Sequence, residues 1–219
     1  MRKFGFTLFE TLLALAIIGV VTAITIPQLI NNHQKTVYVT SLHKFYNDLN
    51  YAVENYMAEQ HVDDLADSDM AGSAEGLNDF VNQYFKIQKH CGTRYYENEE
   101  NSCFARYYKT LNGNQVDLTR HQCNVVFRMQ NGMSVCMDAA SMEDINPGED
   151  NSVSSSFNEA LGYVLVSEID TNGPEGPNIL GRDLFMGIAV SPLGKIEPKS
   201  GADGEYFESI LNNNWKMNY

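Results

Sequence analysis

The stretch MRKFGFTLFETLLALAIIGVVTAITIP, residues 1–27, decides the architecture. Two cations, Arg2 and Lys3, precede an almost unbroken apolar run from Phe6 to Ile26, and Pro27 closes it. At ~1.5 Å per residue the 21 residues of the run extend roughly 32 Å as a helix, against a bilayer hydrocarbon core of about 30 Å. One acid, Glu10, interrupts the run near its start. An ionised group in a spanning helix costs about 2.5–3.5 kcal/mol on insertion scales, less toward an end of the span, so Glu10 needs a reason to be there. A removable secretory signal has an apolar core of about 7–15 residues and a small-x-small cleavage site. This run is longer, and it ends in Ile24-Thr25-Ile26-Pro27-Gln28. A plain membrane anchor fits the length but leaves Glu10 unexplained.

The segment Gly5-Phe6-Thr7-Leu8-Phe9-Glu10 resembles the processing motif of type IV pilins and type II secretion pseudopilins: a short basic leader, Gly, an aromatic residue, then an apolar helix with Glu as its fifth residue. The resemblance covers about the first 30 residues. It implies cleavage between Gly5 and Phe6 by a prepilin peptidase, N-methylation of Phe6, and assembly into a filament through the N-terminal helix. Cleavage exposes an α-amino group at Phe6. A carboxylate among apolar groups is tolerated when paired, so Glu10 of one subunit can pair with the Phe6 ammonium of a neighbour. A pair inside one subunit is the alternative.

The chain has 219 residues with 15 Lys+Arg against 28 Asp+Glu, a net charge of −13. That balance argues against a surface that grips nucleic acid through phosphates. Arg2 and Lys3 are the only cations before the run, so the N-terminus is expected in the cytoplasm and the rest outside it. The four cysteines, Cys91, Cys103, Cys123 and Cys136, then lie where disulfides persist. Four cysteines allow three pairings. Cys91–Cys103, closing a short local loop, is favoured, which leaves Cys123–Cys136.

After Pro27 the apolar spacing becomes striped: Ile30, Val37, Phe45, Leu49, Val53 and Tyr56, with Leu42 and Met57 beside them. This predicts an amphipathic continuation of the helix, kinked at Pro27. The expected division is a leader over 1–5, an N-terminal helix over 6–60 with its membrane part at 6–26, and an extracytoplasmic head over 61–219. Residues 61–76, rich in Asp and Gly, read as a solvated loop, and Leu77–Ile87 as a short helix. Residues 91–120 show no period, and Tyr95, Tyr96, Tyr107 and Tyr108 within them read as packing. Gln130-Asn131-Gly132 between two apolar runs reads as a hairpin. A two-residue Asn131-Gly132 turn would set Phe127 opposite Cys136, with Cys123 about 13 Å further along the strand. A disulfide needs Cα atoms within about 7 Å, so a Cys123–Cys136 bridge demands a bulge or a return of the chain. Residues 141–160 read as a polar loop, Leu161–Ile169 and Leu184–Val190 as strands, and Ser191–Gly194 as a turn. The tail, with Trp215, Tyr206, Phe207, Ile210 and Leu211, is expected to cover one end of the core. The fold class is α+β, a long helix on a small antiparallel sheet, the pilin-like arrangement that the motif also implies.

The best candidate site in the head is the segment Asp170 to Asp183. Asp170 and Asn172 alternate as the first ligands of many calcium loops do, Gly173 permits a sharp turn, and Asn178 and Asp183 could add oxygens. The segment resembles an Asp-x-Asn-Gly…Gly-Pro-Asn…Gly-x-Asp stretch of some bacterial prepilin-like proteins. The bland reading is a rigid Gly/Pro turn in which the two acids cap backbone N–H groups. His90-Cys91 with His121-x-Cys123 matches no standard zinc spacing. No Walker loop, nucleophile elbow or His-Glu-x-x-His motif appears, so an enzyme is not expected. The expectation is therefore a structural subunit, a pseudopilin or minor pilin of a type II secretion pseudopilus or type IV pilus-like filament. Glu10 and Pro27 would serve assembly, and Ala16, Gly19 and Ala23 would let helices approach closely. Its expected partners are a prepilin peptidase and methyltransferase, other pilin copies, an inner-membrane assembly platform and lipid. Major type IV pilins usually carry a disulfide loop near the C-terminus, and this chain departs from that pattern. The alternatives are a monomeric anchored module that binds calcium or a glycan, and a secreted enzyme.

Overall fold

The computed structural model describes residues 7–98, 100–118, 122–139, 164–199 and 204–219. It divides into two compact units, Met1–Val37 and Tyr38–Tyr219. One helix, α1 (Leu8–Gln60), contributes to both, with Pro27 inside it. In the first unit the large apolar side chains of the run lie exposed, among them Leu8, Phe9, Leu12, Leu15, Ile18 and Ile24. The helix is long and apolar enough to cross a membrane.

In the second unit α1 buries Tyr38, Val39, Leu42, Phe45, Leu49, Ala52, Val53 and Tyr56, a stripe at steps of three and four residues. The expected stripe holds from Phe45 onward. Ile30 and Val37 do not belong to it, being 52% and 45% exposed, while Leu42 sits fully inside it. The reason is angular: one residue turns the helix by about 100°, so a stripe that contains Tyr38 and Leu42 points Val37 away.

The buried stripe packs on a six-stranded sheet of order β1-β4-β5-β6-β7-β8, antiparallel throughout. The strands are β1 (Ile87–His90), β4 (Val125–Met129), β5 (Ser134–Ala139), β6 (Val164–Asp170), β7 (Leu184–Val190) and β8 (Ile196–Pro198). Two short strands, β2 (Tyr108–Lys109) and β3 (Gln115–Val116), pair separately. The sheet is buried on both faces. Toward α1 it presents Val125, Phe127, Val135, Met137, Val166, Ile169, Phe185 and Ile188. Val126, Cys136 and Leu184 point the other way, into a second core with Tyr95, Phe104, Tyr108 and Leu118. The unperiodic region 91–118 is therefore a flap that covers the outer face, and Tyr95 and Tyr108 are packing residues within it. Burial on both faces also explains why β4 and β7 read as nearly continuous apolar runs.

Several local expectations are corrected. Residues 61–76 are not a solvated loop: a 3-10 turn at Leu65–Asp67 and a helical turn α2 (Asp69–Gly72) drive Leu65, Met70 and Ala71 into the core, leaving the acids outside. The next helix, α3, is Ala74–Tyr84, capped by Ser73, and Ile87 has already entered β1. The chain after Ser191–Gly194 returns as β8, which the short segment with its Pro198 did not signal. The tail helix α4 (Glu205–Asn212) buries Phe207 and Ile210, and Tyr206, Leu211 and Trp215 pack beside them. Residues 141–160 and 161–163 lie outside the described residues.

The hairpin differs in register. Met129 N–H donates to Met133 O at 2.8 Å and Gly132 N–H to Met129 O at 2.9 Å, so the loop has three residues, not two. Gly132, at φ 90°, supplies the left-handed last position of such a loop. Phe127 therefore faces Val135, and Cys136 faces Val126. The return of chain that a Cys123–Cys136 bridge demands is present. Cys123 N–H bonds Thr93 O at 2.9 Å, turning the segment before β4 toward the flap. Asn124 fixes the bend by receiving Ala139 N–H at 2.7 Å while its own N–H donates to Asp138. The structure joins Cys91 to Cys103 and Cys123 to Cys136, with Cα separations of 5.9 and 5.8 Å. Loops of this length are worth about 3 kcal/mol each in the chain-entropy account.

Candidate functional site

Two of the places where the described chain sets carboxylates among apolar groups were singled out by sequence. The first is the start of α1. Thr7 sits just before the helix, and its N–H and Oγ1–H both donate to Glu10 Oε2, each at 2.8 Å. Glu10 N–H returns to Thr7 Oγ1 at 3.3 Å. This is a reciprocal capping box, the Thr-x-x-Glu pattern at a helix N-terminus. Glu10 thus has a partner within its own chain, a role the pairing argument did not assign. The pattern Thr7-Leu8-Phe9-Glu10 before an apolar run was the signal that could have found it.

The other polar side chains of the run are satisfied the same way. Thr11 Oγ1–H donates to Leu8 O at 2.8 Å, Thr22 to Ile18 O, and Thr25 to Val21 O at 2.9 Å. A segment whose polar groups bond within their own helix meets the requirement that lipid imposes on a spanning element. Pro27 follows directly, inside α1. Gly5 and Phe6 lie outside the described residues.

The second place is the loop between β6 and β7. Asp170 closes β6 and is fully buried. Its Oδ2 accepts Tyr108 Oη–H at 2.5 Å, and Oδ1 accepts Asn172 N–H at 3.2 Å. Asp183, also fully buried, takes Asn178 N–H on Oδ2 at 2.7 Å and Ile179 N–H on Oδ1 at 2.6 Å. Burial raises both acids from their ordinary value, Asp170 well above it. Burial and the facing Asp170 likewise hold the Tyr108 hydroxyl well above its ordinary value. Two glycines are dictated by close approach. A side chain at Gly173 would meet Gly132 O at 2.5 Å, and one at Gly181 would meet the Tyr206 ring at 2.6 Å. The asparagines donate to the loop itself, Asn172 Nδ2 to Glu175 O and Gly176 O, and Asn178 Nδ2 to Pro174 O. Their Oδ1 atoms are buried with no hydrogen-bond partner among the described residues.

The four expected ligands are thus not equivalent. Asp170 and Asp183 are engaged in closing the loop on itself and onto the flap, the role of the bland reading. Asn172 Oδ1 and Asn178 Oδ1 are open acceptors.

One further cluster, Cys123, Cys136 and Glu168, gathers three buried ligand types, but the two sulfurs are joined to each other. A zinc site using Cys91 or Cys123 is excluded in the same way, and His121 lies outside the described residues. His90 instead meets Asn82 Oδ1 at 2.9 Å. No cofactor is evidenced among the described residues.

Residues 1–26 match the family model described as the prokaryotic N-terminal methylation motif, the signature of type IV pilins and pseudopilins. Comparison with curated proteins gives no match, and neither does comparison with solved structures.

Proposed function

We propose that this chain is the precursor of a pseudopilin or minor pilin, a structural subunit of a type II secretion pseudopilus or type IV pilus-like filament. One observation carries the reading: the methylation motif falls on the first part of α1, where the apolar side chains from Leu8 to Ile26 are exposed while the hydroxyls of Thr11, Thr22 and Thr25 are tied to the helix backbone. Such a surface needs lipid first and neighbouring helices afterwards. In this reading residues 1–5 are a leader removed between Gly5 and Phe6 by a prepilin peptidase, and Phe6 is then methylated. Residues 6–26 span the inner membrane with the N-terminus in the cytoplasm, and 61–219 form the extracytoplasmic head. Glu10 and Pro27 serve assembly with other pilin copies on an inner-membrane platform. The test is mass spectrometry of the natural protein. A mature chain that begins at methylated Phe6 supports the reading. Retained Met1 indicates a monomeric anchored module, and a start beyond Ile26 a secreted protein.

A second reading, of the 170–183 loop as a calcium site, is favoured by the open Oδ1 atoms of Asn172 and Asn178 beside two buried acids. Calcium takes six to eight oxygens, and these four residues would hold it. Its expected effect is a melting temperature that rises between chelator and millimolar calcium. An unchanged value would leave the loop as a purely structural closure.

A further inference from the structure

We propose that the β2–β3 hairpin of the flap is a docking surface for a second copy of this chain: Arg106, Tyr107, Lys109 and Leu111 of one copy seat on the acid-flanked groove at the end of α1 in the next. The inference rests on the filament reading above and names a contact between heads.

The two surfaces lie at opposite ends of the unit Tyr38–Tyr219. The hairpin sits where α1 enters. Lys109 N–H donates to Asn178 O at 2.9 Å and Leu180 N–H to Lys109 O at 2.8 Å, which ties β2 to the 170–183 loop. Tyr38, the first residue of α1 in this unit, is close enough to that loop to feel the charges of Asp183, Arg182 and Asp170. The groove sits where α1 finishes. Met57, Ala58 and Val62 give it apolar walls, Glu54, His61 and Asp63 flank them, and its volume is about 580 Å³. The course of α1 from Tyr38 to Gln60 separates the two ends by roughly 33 Å.

The ends are complementary in charge. From Phe104 to Val116 the flap carries two cations, Arg106 and Lys109, and no acid, in a chain with a net charge of −13. From Glu54 to Asp69 there are six acids and no Lys or Arg. The apolar side chains are divided the same way. The described part of the unit exposes four large ones, Tyr51, Tyr107, Leu111 and Leu193, and three of them stand at these two ends. Tyr107 and Leu111 are on the hairpin, and Leu193 is in the turn that sets Gly194 against Met57. The Arg106 guanidinium lies 5.0 Å from the centre of the Tyr107 ring, so cation and ring are presented together. Arg and Tyr are residue types that anchor protein interfaces. Exposed ion pairs contribute little each, so the groove supplies the adhesion while the charges orient the partner and exclude like ends. In copies that stand parallel, the two surfaces meet when one copy is displaced along α1 by about the length of the unit. A flat membrane does not allow that displacement and a filament does. The contact is heterologous and leaves a free surface at each end, so it extends as an open series.

The test uses the full chain in producing cells, with filament yield read by shearing. Two charge-reversed variants are made, Arg106→Glu with Lys109→Glu, and Asp63→Lys with Asp67→Lys. All four side chains are exposed, so the fold should be kept, and mapping of both disulfides checks it. Each variant alone should give about tenfold fewer filaments than wild type, because like charges then face each other. Produced together, the two should recover wild-type yield as an alternating polymer, which a misfolded variant could not do. In wild-type filaments a zero-length carbodiimide should couple the Lys109 amine to Asp63 or Asp67. Within one copy these groups lie at opposite ends of the unit, so such a link joins two copies. Variants that each assemble like wild type, a mixture that does not recover, or Lys109 coupled to a different protein would overturn the contact and leave the filament reading standing. A mature chain that does not begin at methylated Phe6 would overturn the filament reading, and the contact with it.

Discussion

Glu10 and Asp170 solve the same problem in opposite ways. Each is an acid in an apolar neighbourhood. Glu10 finds its donors three residues away, in Thr7, whereas Asp170 finds its hydroxyl donor 62 residues away, in Tyr108. The first solution belongs to the helix alone and is available before anything else has folded. The second exists only once the flap has closed over the sheet. The carboxylate at the start of α1 is thus held by local contacts alone, and the one at the end of β6 is locked by the tertiary structure.

The difference can be broken experimentally, beginning with its largest effect. Glu10→Ala should leave the protein membrane-inserted and cleaved while filament assembly is lost, as read by shearing and electron microscopy. The melting temperature of the head should not change. Asp183→Ala does the reverse. It strands the N–H groups of Asn178 and Ile179 in a buried loop, a loss of about 3 kcal/mol, or roughly 6–12 °C for a domain of this size, measured by thermal unfolding in detergent. Tyr108→Phe removes one donor from Asp170 and should cost about 1.5–3 kcal/mol in the same assay.

The smallest effect is a pH dependence. An acid whose folded value is raised binds its proton more tightly folded than unfolded. Its stabilising share is present below the unfolded value, about 4, and is lost as pH rises toward the folded value. Asp170→Asn should therefore flatten the fall in melting temperature above pH 4 that wild type shows. A parallel pair of curves would mean that Asp170 does not titrate in that window.

The same contrast explains how much could be read from the chain before its fold was known. The apolar run, its motif and the α1 stripe from Phe45 to Tyr56 are set by contacts within a few residues or by a 3.6-residue period, so they were legible. The α+β class followed from them and from the apolar strands. The Thr7–Glu10 cap is equally local, and the Thr-x-x-Glu pattern before an apolar run is its signal. The flap was not legible. Tyr95, Phe104 and Tyr108 obey no period because their partners lie on β4–β7, and β2 and β3 are two residues long. The hairpin turned on one residue: Asn-Gly suggested a two-residue loop, and the left-handed Gly132 serves a three-residue one just as well. In the 170–183 loop the residue types were right for either cations or backbone capping. Only the geometry separates the acids, which cap, from the asparagines, whose oxygens are open.

Both disulfides fall between Cys91 and Cys136, and α1 contains no cysteine. No covalent strut therefore couples the helix to the sheet beyond the run of the chain itself. If a filament is loaded along its axis, the pull on each head passes through the side chains of Leu42, Phe45, Leu49, Val53 and Tyr56. The breaking force of one subunit would then be set first by its oily seam, the sulfurs bracing only the sheet side of it.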